Sequence, residues 1–561
     1  MVRPDAAQNP QPPPFPTLSL PAARVSAWVV ETRPDATRKW LSLLPLADSG
    51  QTAQQLYQAL YTLNRMTLDA GERLALMELY VEPVAVAAAG LRSQFLHFAV
   101  PLKPRQKQLA DFLLELQREM AYGYKHVLQG FAKERRPWEK GEFLVATERA
   151  IRYLGETLLR AYHVYMPVPA GAWREIHGLY RYAEAYDGAA TPLGDVGADV
   201  PETIARRYLQ VLMLGLCGPY QLPQNECLQV DAFLARWAQK AELTAYLAGI
   251  NPVGHFLVDL DADHPATPFP RDVPLRDSPA LRAVNAIELA RAVHGFIGRL
   301  QKGEAARALG LGFDCAGSAC VDTLKRMLRF WGLAARRHFS RRRLHQPLSL
   351  CVGLPAIHFF VSGQQPFTPP PLLPVAAAVP DRAAEAPDQA SLDAEARQPG
   401  VEQPITGEFF RIDNRWLLRD ESAGGLALAR HADIGLPIRV GDVIGIHNPA
   451  TNQWRIGAVR WVKSPDTQRV EMGVEMLAPQ ARPLAVRQGG DERAGFSQAL
   501  MLPPIETLRQ PPTLLVPRGA CQPNQEIELA EGELPPRRVR VLSVLERTNA
   551  FAQVVFADVA Q

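Results

Sequence analysis

The spacing of apolar residues changes once along this chain, and that change constrains the fold more than any other feature. From about residue 36 to 335, leucines and aromatic residues recur every three or four positions, as at Leu56, Leu60 and Leu63, which is the spacing of one buried helix face. Towards the C-terminus apolar and polar residues alternate instead, as in short β-strands. We therefore predict an α+β multidomain protein, with an all-α N-terminal domain followed by β domains.

The domain organisation follows from the chain length and from one segment of unusual composition. A chain of 561 residues is too long for a single hydrophobic core. Residues 365–404 are rich in proline and alanine and cannot bury enough apolar surface to offset the entropy of ordering, so we predict a flexible linker. The predicted organisation is a Pro-rich N-terminal tail over 1–35, a helical domain over 36–335, a small β-barrel over 336–480 interrupted by that linker, and a β-rich domain over 481–561.

The alternating segments predict individual strands on both sides of the linker. The first strands are expected over Leu350–Val361, and a lone short strand is expected over His255–Leu260 inside the helical domain. The remaining predicted strands are Phe409–Leu418, Gly425–Ala429, Pro437–His447, Trp454–Lys463 and Arg469–Met476, followed by a second β-rich stretch over Pro511–Val559.

Composition excludes several classes of protein. The formal net charge is only +3, so no overall field favours coating a nucleic-acid duplex or a membrane. The apolar runs are shorter than the ~18 residues of a membrane span, and the Pro-rich N-terminus lacks the apolar core of a signal peptide. The six cysteines include no CxxC pair and are too sparse for a disulfide-stapled fold, so we predict reduced, buried thiols in a cytoplasmic protein.

Two short polar motifs suggest a binding site. The first reads RRHFSR over residues 336–341, and the second reads DESAGG over residues 420–425. An arginine donates two parallel hydrogen bonds to a phosphate or to the O6 and N7 atoms of guanine, whereas a lysine offers only a point charge. The second motif combines a carboxylate, a hydroxyl and glycines in a compact turn. Together the motifs predict nucleotide binding rather than catalysis.

The combination of motifs resembles the PilZ domain, the bacterial receptor module for cyclic di-GMP. In that family an RxxxR arm before the first strand folds over the ligand, and a [D/N]xSxxG turn forms the opposite wall. The sequences GAVRW over 457–461 and MGV over 472–474 also resemble the later strands of the family. The arm matches at Arg337 and Arg341, with Arg336 completing a double arginine, and the turn matches at Asp420, Ser422 and Gly425.

The resemblance implies a role for each matched residue. Arg337 and Arg341 would hold phosphate oxygens and guanine edges, while Asp420 would accept guanine N–H groups or hold an arginine in place. Ser422 would add a short hydroxyl, and Gly425 would keep the backbone free of a Cβ where the ligand approaches.

The resemblance also implies a function in bacterial signal transduction. We expect a nucleotide-binding receptor or effector that binds cyclic di-GMP and transmits its level to a protein partner through the helical domain. By analogy with the family, its outputs would be motility, adhesion or biofilm regulation. Apart from the ligand cyclic di-GMP we expect no cofactor, no metal, no membrane span and no nucleic-acid partner.

Three alternatives remain at this stage. A PilZ-like fold that binds no ligand could act as a scaffold, although both motifs are intact. A single-stranded nucleic-acid binder could use Arg336–Arg343, but such proteins interleave aromatic residues with arginines, and only Phe339 qualifies here. An enzyme is disfavoured because the chain shows no P-loop, no GxSxG elbow, no HExxH and no other nucleophile, base or metal constellation.

Three further features have plainer explanations. The sequence GGDER over 489–493 resembles the GGDEF signature of cyclic di-GMP synthases, but it falls in a polar loop between β segments, so we expect a chance match. The aspartates over 259–263 resemble the start of a calcium loop, yet His264 and Pro270 occupy positions where that loop needs Gly and Glu. We expect a solvated turn there, and a satisfied histidine at His177.

Overall fold

The structure is a computed structural model, and it describes most of the chain. The linker predicted over 365–404 lies outside the described residues, apart from 365–370. The described residues are 13–24, 29–96, 98–134, 136–194, 201–270, 278–315, 318–332, 340–370, 410–431, 435–449, 451–466, 468–489, 495–506, 510–532 and 534–559.

The N-terminal region is helical, as the periodicity predicts. Side-chain caps start several of its helices: Asp48 accepts a hydrogen bond from the amide of Gln51, and Asp69 accepts one from the amide of Gly71. The described helices of this region are α1 Pro34–Ser42, α2 Ser49–Leu63, α3 Ala70–Ser93, α4 Pro104–Phe131, α5 Gly141–His163, α6 Ala172–Ala185, α7 Ile204–Leu216, α8 Glu226–Trp237, α9 Ile287–Gln301 and α10 Ser318–Trp331.

Helix α3 is the one described helix whose length and apolar composition would suffice to cross a membrane. Composition alone does not separate such a span from the core helix of a bundle. Leu76, Met77 and Tyr80 of α3 are almost fully buried, and the helix packs against α2 and α4. Its apolar face therefore contributes to the core of the helical region.

The helical region also contains a small sheet. Four strands, β1 Glu242–Ala245, β2 His255–Asp259, β3 Thr267–Pro268 and β4 Leu281–Asn285, pair in the order β1-β4-β2-β3. The strand predicted over His255–Leu260 is therefore present, but the expectation that it stands alone is wrong. The other strands escape detection because they are two to five residues long, too short for a clear alternation.

Two aspartates that follow β2 form hydrogen bonds with helix α6. Asp263 accepts hydrogen bonds from the backbone amides of Gly171, at 2.7 Å, and Arg174, at 3.2 Å. These are N–H groups of the first turn of α6, which lack partners within the helix, and a carboxylate there also interacts favourably with the helix dipole. Asp261 pairs with Arg181 of the same helix at 2.9 Å. The acidic turn therefore caps α6.

Six strands then close into a barrel in the order β10-β7-β6-β5-β8-β9. One predicted strand segment is wrong: β5 ends at Val352, and Leu354–Val361 forms helix α11. Gly353, at a φ of +94°, ends the strand, and Pro355 fits the first turn of a helix. The strands are β5 Arg342–Val352, β6 Asp413–Ser422, β7 Gly425–His431, β8 Val443–Asn448, β9 Gln453–Asp466 and β10 Arg469–Ala478.

A second closed barrel follows, in the order β11-β12-β13-β16-β15-β14. Helix α11 packs against this barrel as well as the first, because Ile357 shares one apolar cluster with Val443 of β8, Leu500 of β12 and Phe551 of β16. The strands are β11 Arg482–Gln488, β12 Ser497–Leu502, β13 Thr513–Pro517, β14 Glu526–Ala530, β15 Arg537–Arg547 and β16 Phe551–Asp558. The GGDER sequence begins at the end of β11, and residues 490–494 lie outside the described part.

The cysteines differ from the sequence-based prediction at one pair. Cys315 and Cys320 form a disulfide, with their Cα atoms 5.4 Å apart, so the prediction of thiols throughout is wrong there. A separation of five residues allows the chain to turn and bring the two side chains together. The other four cysteines, Cys217, Cys227, Cys351 and Cys521, are free and buried.

His177 is a buried, hydrogen-bonded core residue of α6, as expected. Its ring nitrogens lie 2.7 Å from the hydroxyl of Tyr208 and 2.9 Å from the carbonyl oxygen of His264. Burial lowers the pKa of His177 to about 4. The folded protein therefore keeps this ring neutral, whereas the unfolded chain takes up a proton near the ordinary pKa of about 6.5.

We expect this histidine to contribute to acid sensitivity. As the pH falls from about 6.5 towards 4, the unfolded state gains a proton that the folded state does not, so the free energy of unfolding decreases. The variant His177→Asn removes that proton uptake, and the pH slope of stability should shrink by up to about 1.4 kcal/mol per pH unit. Urea titrations followed by circular dichroism at several pH values measure both slopes. Identical slopes would contradict the assignment.

Candidate functional site

The DESAGG motif forms the hairpin between β6 and β7. Strand β6 ends at Ser422 and β7 begins at Gly425, so Ala423 and Gly424 form a two-residue turn. The hydroxyl of Ser422 donates a hydrogen bond to the carbonyl oxygen of Gly425 at 3.2 Å, across the turn. Asp420 lies half-buried near the end of β6. The structure therefore brings the three predicted turn residues together on one hairpin.

Gly425 is required by the packing of the barrel. A Cβ at this position would lie well inside van der Waals contact with the carbonyl oxygen of Val474, on the adjacent strand β10. The amide of Met476 also donates a hydrogen bond to the carbonyl oxygen of Gly424 at 3.2 Å. The hairpin and β10 approach each other closely because no side chain separates them.

The arginine arm is described only in part. Arg336 and Arg337 lie outside the described residues, and Arg341 is the described member of the predicted set. Arg341 is exposed and directly precedes β5, which begins at Arg342 and lies next to β6 in the barrel order. Ligand contacts by these arginines remain a prediction.

One charged pair at the hairpin was not found from the sequence. Arg455 of β9 donates from Nη1 to Oε1 of Glu421 at 3.0 Å, and both side chains are partly buried. Among the described residues, the buried Nε atom of Arg455 has no hydrogen-bond partner. Glu421 occupies an unspecified position of the motif, and Arg455 lies two residues before the GAVRW sequence. No local pattern links two residues on distant strands, so this contact requires the fold.

The GAVRW and MGV sequences, which resemble later strands of the PilZ family, contact each other in the structure. Gly473 of the MGV sequence lies against the indole of Trp461 from GAVRW, so closely that a Cβ would overlap the ring. These two elements, on β10 and β9, therefore pack on each other within the barrel. Among the described residues, no group of three or more His, Cys, Asp or Glu side chains is arranged to hold a metal ion.

Three family models match this chain in consecutive parts. The model described as the N-terminal domain of the cyclic-di-GMP receptor FimW matches residues 35–248. The model described as the middle PilZ domain of that receptor matches residues 255–398 and 413–483. The model described as the FimW C-terminal β-barrel domain matches residues 484–559. The first match covers α1 to α8 and β1, the second covers β2 to β4, α9, α10 and the first barrel, and the third covers the second barrel.

One relative, matched over most of its length, agrees with these matches. The cyclic-di-GMP receptor FimW of Pseudomonas aeruginosa is 28% identical to this chain over an alignment of 531 positions, which covers 88% of this chain and 86% of the relative. The similarity therefore includes both barrels and the helical region, and extends well beyond the two short motifs.

Because the backbone approaches β10 closely at Gly425, we expect alanine to have opposite effects on stability at Gly425 and at Gly295. Gly425→Ala forces the backbone of β7 away from β10 and should lower the free energy of unfolding by about 1–3 kcal/mol. Gly295→Ala is the matched control: Gly295 lies inside α9 with open space around the added Cβ, so alanine should stabilise by about 0.5–1 kcal/mol. Urea denaturation followed by tryptophan fluorescence compares them. A Gly425→Ala protein as stable as wild type would contradict the packing argument.

Proposed function

We propose that this chain, which belongs to the FimW family in all three of its domains, is a receptor for cyclic di-GMP and passes ligand binding to a protein partner through its helical region. The observation that carries the proposal is the hairpin with Asp420, Ser422 and Gly425 in place, inside the match to the middle PilZ domain. Strand β5, which follows the RxxxR arm, neighbours the hairpin strand β6.

The residue types fit the chemistry of the ligand. Cyclic di-GMP carries two phosphates and two guanines, and guanidinium groups of the arm can donate paired hydrogen bonds to either. Asp420 can accept the N–H groups on the Watson–Crick edge of guanine. Because the hairpin is held by its own hydrogen bond, its turn is formed before binding, which lowers the entropy cost of binding the ligand.

Parts of the barrel and the helical region form one compact unit. The segments Ala429–Val440 and Arg460–Gly473 group with the helical region. Val100 and Ile438 exchange two backbone hydrogen bonds of 2.9 Å, and Arg439 donates from Nε to the carbonyl oxygen of Phe98 at 3.2 Å. The segment that follows β7 is therefore hydrogen-bonded to the loop between α3 and α4.

A second connection runs through β9. The amide of Ser464 donates to the carbonyl oxygen of Tyr165 at 2.8 Å, in the loop between α5 and α6. The Lys463 ammonium lies 5.1 Å from the centre of the Tyr220 ring. Since β7 starts at the hairpin turn and leads to the first connection, we propose that ligand binding at the turn shifts both connections.

The function is binding rather than catalysis. A receptor needs only differential affinity between two conformations, so no nucleophile, general base or metal is required of the hairpin. We further propose that the receptor works in the cytoplasm and that its outputs are motility, adhesion or biofilm formation, as the PilZ resemblance implies.

Calorimetric titration with cyclic di-GMP tests the receptor assignment. We expect saturable binding by the wild type and a loss of about tenfold or more in Arg341→Ala and Asp420→Ala, because each removes a charge-assisted hydrogen bond. Arg469→Ala is the matched control, since Arg469 pairs with Glu471 at 3.3 Å on the same barrel and is not part of either motif.

Two results would count against the receptor assignment. One is the absence of saturable binding by the wild type. The other is equal binding to unrelated oligonucleotides with a steep loss at higher salt, which would favour a nucleic-acid-binding protein.

Hydrogen exchange tests whether ligand binding at the hairpin is transmitted to the helical region. On addition of cyclic di-GMP, we expect altered exchange at the amides of Val100 and Ile438, and at that of Ser464, because these amides form the two connections. Mass spectrometry of peptides covering residues 98–103, 435–440 and 460–466 measures it, with peptides from the second barrel as the reference. Changes confined to the hairpin would leave the receptor assignment intact and contradict transmission by this route.

A further inference from the structure

An extended segment before the first helix lies against the helical region. We call residues 13–24, with the sequence PPFPTLSLPAAR, the strap. Phe15, Pro16, Leu18 and Leu20 are partly buried, and Ser19, although exposed overall, directs its hydroxyl to the helices. The strap has no helix or strand of its own. Its position therefore depends on side-chain contacts.

The aromatic end of the strap occupies a slot between α5 and α6. The Phe15 ring lies edge-on to Tyr182 of α6, with centroids 5.3 Å apart, and 6.2 Å from Phe143 of α5. Pro16 packs on Gly178 of α6, where a Cβ would come within 2.8 Å of the proline Cβ. The slot therefore combines an aromatic wall with a helix position that lacks a side chain.

The polar end of the strap meets a buried ion pair. Lys125 of α4 is 2% exposed and donates from Nζ to Glu175 of α6 at 2.8 Å and to the Ser19 hydroxyl at 3.0 Å. Ser19 donates to Oε1 of Glu175 from its backbone amide at 2.9 Å and from its hydroxyl at 2.5 Å. A buried ion pair needs further hydrogen bonds to offset its desolvation, and the strap supplies them.

These contacts lie on one stripe of α6. Glu175, Gly178 and Tyr182 are spaced at i, i+3 and i+7, which places them on one helix face. With Lys125 of α4 and Phe143 of α5 they form a surface that we call the strap groove. At one end the strap groove accommodates an aromatic residue followed by proline. At the other end it accommodates a hydroxyl residue four positions after the aromatic residue.

We propose that the strap groove is a docking site for an extended, proline-containing peptide of a partner protein, and that the strap is its competing occupant in cis. The proposal rests on the proposed function, in which the helical region engages a partner, and adds where that partner binds and what chemistry it presents. Within the described part of the chain, the strap backbone donates a single hydrogen bond to the groove, from Ser19. A peptide with the same pattern can therefore replace it without breaking a sheet or a helix.

Because the strap belongs to the same chain as the strap groove, it competes for the groove better than a free peptide does. A segment joined to its groove by a short connection has an effective concentration of about millimolar, so the wild type should resist exchange. Weakening the strap while leaving the groove intact should open the site. Phe15→Ala with Ser19→Ala does this, because both residues belong to the strap and none of the groove residues is changed.

A labelled synthetic peptide with the sequence of residues 13–24 is the probe, and fluorescence anisotropy measures its binding to the full chain. We expect binding to the Phe15→Ala/Ser19→Ala chain at least about tenfold tighter than to the wild type. Adding Gly178→Ala to that chain should abolish the gain, since the new Cβ meets the proline. Alanine favours a helix interior over glycine by about 1 kcal/mol, so α6 should persist, as circular dichroism can check.

Three outcomes would overturn the proposal. One is equal affinity of the peptide for wild type and the opened chain, and another is no binding to either. The third is a wild-type dimer that dissociates in the opened chain, which would make a second copy the occupant of the groove. The cyclic di-GMP titration is scored separately on the same proteins, so loss of ligand binding and loss of peptide binding are distinguished.

Discussion

The geometry of the candidate site depends on the close approach of two backbones, at Gly425 of β7 and Val474 of β10. The barrel order places these strands side by side, and the absence of a Cβ lets the hairpin sit directly on β10. That contact fixes the position of the hairpin, whose strand β6 carries Asp420 and Ser422. The hairpin is held by strand packing and by the 3.2 Å hydrogen bond of the Ser422 hydroxyl, so this part of the site is formed before a ligand arrives and adds little entropy cost to binding.

Much of this architecture follows from local sequence. The helical periodicity around Leu56 and Leu60, the alternation at Ile527 and Leu529, and the DESAGG turn each match the elements that form. These features are local, because about ten consecutive residues determine a helical or strand periodicity or a compact turn. The position of Asp420, Ser422 and Gly425 on one hairpin was predictable for the same reason, and their contacts with a ligand stay a prediction.

The features that the sequence did not predict depend on distant partners. Helix α11 forms at Leu354–Val361 because that apolar run is buried by both barrels, and an apolar run alone does not distinguish a buried strand from a buried helix. The Arg455–Glu421 pair joins β9 to the end of β6. The Cys315–Cys320 disulfide is the exception, because its partners are five residues apart, but two cysteines at that spacing form no motif that separates a disulfide from free thiols. None of these leaves a periodic signal.

Helix α6 relates the barrel contacts to the strap groove. The loop that leads into it accepts the hydrogen bond of Ser464 at Tyr165, its first turn is capped by Asp263, and its side carries Glu175 and Gly178 of the groove. A shift of β9 that these hydrogen bonds transmit would act first on the entry to α6, and the groove depends on the alignment of α6 with α4 and α5. If cyclic di-GMP biases that alignment, linkage requires that occupancy of the groove alters ligand affinity by the same factor. Ligand and strap would then be coupled through one helix, without contact between them.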